Sequence, residues 1–135
     1  MTAAPELWTP GRIVGPREFT ADEIDLFRFS AVTWNAHRIH YDAPRAAAEG
    51  LPGLPVQAHL HGAWFAQVAR SVAGPTARLR SLSWANRAPV VAGERVEISG
   101  TVDGTADGLI TLSLRETGAD GALRADGSAT VEVRS

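Results

Sequence analysis

Residues His59 to Ala73 read His-Leu-His-Gly-Ala-Trp-Phe-Ala-Gln-Val-Ala-Arg-Ser-Val-Ala, and the reading of this stretch decides the fold. It holds no proline and a single glycine, Gly62. Wound as a helix, it spreads Leu60, Ala63, Trp64, Phe65, Ala66, Val68, Ala69 and Val72 over most of its circumference, and a helix apolar nearly all round is buried rather than laid on a surface. Gly74-Pro75 supplies the stop. On the other side Leu51-Pro52-Gly53-Leu54-Pro55 reads as a tight, proline-fixed turn leading into the helix. From Arg78 onward the period changes to two. Leu79, Leu82 and Trp84 mark one strand, Val96, Ile98 and Thr101-Val102 a second, Leu109 to Arg115 a third and Ala129 to Arg134 a fourth. Ala92-Gly93, Asp103-Gly104, Asp107-Gly108, Asp120-Gly121 and Asp126-Gly127 offer turns between them. A buried helix followed by an antiparallel meander, with no βαβ alternation, predicts an α+β fold in which the sheet wraps the helix.

Upstream, Thr20 with Glu23 has capping-box spacing, so a helix is expected from Ala21 to about Val32. Thr33 to Asp42 shows no clean period and reads as an irregular loop, the kind of segment that carries function. Asp42 fits the N-cap of a short helix through Ala46 to Glu49, closed by Gly50. Pro5, Pro10-Gly11 and Gly15-Pro16 make the beginning an extended arm, set at residues 1–11, and residues 1–135 read as one domain, in keeping with the length.

Composition excludes several chemistries. The chain has no lysine and no cysteine, which removes Schiff-base lysines, thiolate nucleophiles, disulfides and cysteine-ligated metals. The net charge is −2 and the arginines are scattered singly, so nothing forms a basic stripe for nucleic acid. Met1 to Pro10 shows no basic start and no apolar stretch, no run of about 18 apolar residues occurs, and the expectation is a cytoplasmic protein without membrane contact.

The four histidines, His37, His40, His59 and His61, fall within 25 positions of one another and flank the short helix and its turns. Imidazole takes and returns protons near neutral pH, so this cluster, beside Asn35, Tyr41 and Asp42, is the main functional signal. Asp42 is accounted for by helix capping, and Tyr41 and Trp34 read as packing residues. A metal site built from His37, His40, Asp42, His59 and His61 has enough ligands, but its spacing matches no specific motif.

Phe27 to Asp42, Phe-Arg-Phe-Ser-Ala-Val-Thr-Trp-Asn-Ala-His-Arg-Ile-His-Tyr-Asp, resembles the signature loop of MaoC-like hot dog hydratases and dehydratases. The branch it is most similar to is that of 3-hydroxyacyl-thioester dehydratases and mesaconyl- or itaconyl-CoA hydratases. Leu51 to Leu60 resembles the entry to that family's central helix, and Ser83 to Gly93 its strand and turn; the likeness runs over residues 12–102 in order. It implies a single hot dog domain that reversibly hydrates a 2-enoyl thioester of CoA or acyl-carrier protein, without a cofactor. In the wider family a catalytic Asp precedes a catalytic His by five residues. Here His40 takes the His position and Asn35 the Asp position, so the resemblance assigns His40 as the acid or base and Asn35 as the group orienting water. The family binds the thioester oxygen on a glycine N–H at the start of the central helix; Ala58 stands there, followed by His59. His37 either holds the loop or touches substrate, and His59 and His61 either line the channel or sit on its rim. Hot dog domains pair, so a homodimer or larger oligomer is expected. A supporting chain in a heteromer with a second hot dog subunit is the alternative to an enzyme acting alone. A hot dog thioesterase is disfavoured because no Asp or Glu occurs between Leu51 and Ala73.

Overall fold

The computed structural model describes residues 8–133; the first seven residues of the expected arm, and Arg134 at the expected end of the last strand, lie outside them. The elements in chain order are β1 (Ile13–Thr20), α1 (Glu23–Thr33), a 3-10 turn (Arg38–His40), α2 (Ala43–Ala48), α3 (Ala58–Ser71), β2 (Arg78–Asn86), β3 (Arg95–Ala106), β4 (Leu109–Gly118) and β5 (Leu123–Glu132). The five strands form one antiparallel sheet in the order β1-β3-β4-β5-β2. Helix α3 touches all five, so it lies across the sheet's inner face as its apolar circumference requires.

Strand alternation sets that inner face. Val96, Ile98, Gly100 and Val102 of β3 are buried, and they pair with Gly118, Glu116, Leu114 and Leu112 of β4, also buried. Against them α3 packs Phe65, Val68 and Ala69, each at most 1% exposed. Burial of each large side chain in this set contributes about 1.5–3 kcal/mol. A single position breaks the apolar pattern, Glu116, which faces inward with Ile110, Leu112 and Leu114.

Three sequence expectations are corrected. The arm gives way at Ile13 to an edge strand, β1, which escapes period-two reading because only Val14 is buried and Gly15-Pro16 interrupts it. Helix α1 is capped two residues later than expected: Asp22, not Thr20, accepts from the Asp25 N–H, and the Asp25 carboxylate accepts from the Asp22 N–H in return. Asp103-Gly104 and Asp126-Gly127 are not turns but lie inside β3 and β5, which makes β5 begin at Leu123 rather than Ala129. At Gly127 the reason is close approach. A Cβ there would press into the Ser83 carbonyl oxygen and stand 3.0 Å from Trp84 Cα of neighbouring β2.

The obstacle at Gly127 is backbone, which cannot swing aside, so overpacking dominates any gain from a stiffer chain. Gly127→Ala is expected to lower unfolding free energy by about 2–3 kcal/mol, read as a fall in the urea midpoint at unchanged slope. An unchanged midpoint would contradict the strand assignment.

Candidate active site

The loop after α1 is shaped by its C-terminus. Trp34 sits in the left-handed region (φ 58°), and the Asn35 N–H bonds back to the Ser30 carbonyl. Asn35 Oδ1 then accepts the His37 N–H at 3.2 Å, and the chain enters the 3-10 turn that ends in His40. His40 is 7% exposed, and its Nδ1 lies 2.7 Å from the Pro55 carbonyl oxygen. A carbonyl can only accept, so Nδ1 carries the hydrogen and the neutral ring keeps its lone pair on Nε2. That nitrogen has no partner among the described residues.

The same segment delivers the start of α3. The Val56 N–H bonds to the Val90 carbonyl, which ties this stretch to the chain ahead of β3. The N-cap, Gln57, is fully buried, yet its side chain does not cap the helix. Its Nε2 instead donates to the Leu26 carbonyl at 2.7 Å and Ser30 Oγ at 2.9 Å, fastening α3 to α1. The first helical bonds are those of the Leu60 and His61 N–H groups to the Gln57 carbonyl, so the Ala58 and His59 N–H groups are left without acceptors among the described residues. From β2, Trp84 Nε1 donates to the Ala58 carbonyl at 3.1 Å and its ring lies edge-on to His59.

One turn further along α3, His61 is buried. Its Nδ1 lies 2.6 and 2.9 Å from the two carboxylate oxygens of Glu116, a side chain with no exposure. His40, Ala58 and His61 line one open cleft of about 340 Å³, together with Pro89 and Val90.

Asn35 is not brought into this cleft. It lines a separate apolar pocket of about 280 Å³ with Phe27, Ala31, Trp34 and Tyr41, which shares no lining residue with the cleft, and its Oδ1 is already engaged by His37. His37 is exposed, its ring 6.0 Å from that of His40. His59 is exposed and does not line the cleft, whereas His61 is buried and does. Tyr41 packs as expected, edge-on to Phe27 with its hydroxyl donating to the Ala36 carbonyl. Trp34 does not: it is 93% exposed and makes no ring contact among the described residues. Asp42 is the N-cap of α2, and the Arg38 guanidinium, then the Arg45 N–H, hold its carboxyl below the ordinary carboxylate range. Among the described residues no three His, Asp or Glu side chains are grouped to hold a metal. Glu116 is the group that the reading from sequence missed. The signal was its place two residues beyond Leu114 in an alternating strand.

The sheet curled about α3 defines a hot dog fold. An (R)-hydratase from A. caviae involved in PHA biosynthesis superposes with a TM-score of 0.87 at 20% identity, covering 93% of this chain and 97% of that one. The ChsH1-ChsH2 complex from Mycobacterium tuberculosis gives a TM-score of 0.86 at 21% identity, covering 93% and 98%. The family model for hydroxyacyl-thioester dehydratase type 2 matches residues 10–92, and the chain belongs to that family. A mesaconyl-C(4)-CoA hydratase of Chloroflexus aurantiacus is 56% identical over 46 residues, which are 33% of this chain and only 16% of that protein's length.

Gly62 sets the geometry of the helix start. A Cβ there would lie 2.6 Å from the Trp84 ring atoms Cη2 and Cζ2, while Trp84 is held by its bond to Ala58. Alanine in mid-helix normally gains about 1 kcal/mol over glycine. Here the clash outweighs that gain, and Gly62→Ala is expected to lose about 1–2 kcal/mol net. Thermal unfolding checks the sign, and a raised midpoint would show that the indole is free to move.

Proposed function

We propose that the chain catalyses reversible addition of water to a 2-enoyl thioester, giving the 3-hydroxyacyl thioester, with CoA or acyl-carrier protein as the carrier. The observation that carries this is His40 in a fixed tautomer, Nε2 free, in the cleft that also holds the unpaired start of α3. His40 Nε2 takes a proton from water as its oxygen attacks C3 of the enoyl group. The negative charge that moves to the thioester oxygen is received by the Ala58 and His59 N–H groups at the positive end of α3. Ala58 serves where the resemblance expects glycine, because the donor is the backbone N–H. C2 is then protonated, completing the water. Family membership and the hydratases among the relatives support the reading. Asn35, outside the cleft, is assigned to holding the loop through His37 rather than to orienting water.

A second reading is a supporting chain in a heteromer. It is favoured by Asn35 at the position where the resemblance expects Asp and by the two-component complex among the structural neighbours. Edge strands β1 and β2 leave the sheet open on both sides, so we propose that the chain pairs with a second hot dog chain, its own copy included.

Crotonyl-CoA hydration, followed by loss of enoyl absorbance, tests the activity. His40→Ala is expected to lower kcat by about 10²–10⁴-fold, and normal rates in that variant would refute the assignment. Asn35→Asp keeps the acceptor for His37 and is expected to leave the rate near wild type. Activity appearing only when a second hot dog chain is added would select the supporting role.

A further inference from the structure

Glu116 is the only acidic side chain among the described residues with no exposure, and it stands at an inward position of β4 otherwise filled by Ile110, Leu112 and Leu114. A buried ion pair is a poor device for stability, since well-packed apolar side chains of similar volume often serve as well or better. A buried acidic group with a specific partner beside a cleft is a candidate for chemistry. Both carboxylate oxygens face His61 Nδ1 and make no other bond among the described residues. When the carboxylate is ionised it can only accept, so Nδ1 carries the hydrogen. His61 Nε2 is left with no partner among those residues. It is not sealed from solvent, and His61 lines the cleft beside His40 and Ala58.

Two imidazoles therefore enter one cleft with different supports. His40 rests on a neutral carbonyl and His61 on a carboxylate. Paired titratable groups in unlike surroundings divide acid from base. The ring backed by a carboxylate is suited to carry a proton, because the positive charge is balanced at contact distance. The ring backed by a carbonyl is suited to start neutral. We propose that His61 is the second catalytic residue, the acid that protonates C2, and that Glu116 is its positioning residue; this rests on the hydratase reading above. In hydration, His40 Nε2 takes a proton from water, the oxygen bonds to C3, and the C2=C3 electron pair moves toward the thioester. As the carbonyl re-forms, C2 takes the proton from His61 Nε2. His40 then returns its proton to His61 through solvent. One water is added, and no oxidant or reductant is needed.

The test uses crotonyl-CoA for hydration, and 3-hydroxybutyryl-CoA with and without deuterium at C2 for dehydration. His61→Gln is expected to lower kcat by about 10²-fold with KM nearly unchanged. The C2 isotope effect should rise toward its full primary value, because C–H cleavage becomes limiting. Glu116→Gln keeps the shape and an acceptor for Nδ1–H, and should give a smaller loss with the same isotope signature. Should His61→Gln not fold, the Glu116→Gln kinetics decide. In the ligand-free protein a far-downfield imidazole N–H resonance should be present and should vanish in Glu116→Gln. A wild type that hydrates crotonyl-CoA, with folded variants that keep kcat or lose it at an unchanged isotope effect, overturns this proposal alone. Normal rates from His40→Ala, or no hydration by the wild type, overturn the hydratase reading and this inference with it.

Discussion

The first turn of α3 is pinned from three directions, and every group of the site is placed relative to it. Gln57 reaches down to α1, Trp84 grips the Ala58 carbonyl from β2, and Glu116 holds His61 from β4. None of these bonds satisfies the N–H groups at the helix start. A side-chain cap would have stabilised the helix by about 1 kcal/mol and occupied one of those donors. The helix is thus secured through its flanks, and its end stays chemically open. That arrangement requires Gln57 to be buried with Oε1 unpartnered among the described residues, a local cost that the packing around it offsets.

Much of this was legible in the sequence, and what was not has physical causes. The all-round apolar helix and the period-two stretches beyond it lead directly to a sheet wrapped on α3, because burial leaves few other ways to cover such a helix. Strand β1 was hidden because an edge strand with one buried residue carries almost no pattern. Asp126-Gly127 mimicked a turn because glycine serves close backbone approach as well as tight reversal. Within the site, His40 followed from its loop. Its pairing with Pro55 did not, since a backbone carbonyl has no side-chain signature. Glu116 lies 55 residues from His61, and only the register of β4 against β3 turns it inward.

The charge distribution departs from that expected of the loop. The position five residues before His40 is a neutral amide engaged in loop geometry, and the buried carboxyl group comes instead from the sheet. A carboxylate on a central strand is held more rigidly than one on a loop, because the flanking ladders fix its Cα on both sides. The candidate site therefore combines an imidazole delivered by an irregular segment with an imidazole–carboxyl pair built into the most regular part of the fold.

His40 and His61 also differ in what heredity can do to them. The partner that orients His61 is a side chain, and one codon can delete it. The partner that orients His40 is a peptide oxygen, which every amino acid supplies, so no replacement at residue 55 removes the acceptor itself. Only rerouting the main chain around it would, and the bridge between Pro55 and Val91 anchors that route to the opposite segment. Across diverging descendants of this chain, the orientation of the loop imidazole should drift less than the acidic partner of the helix one.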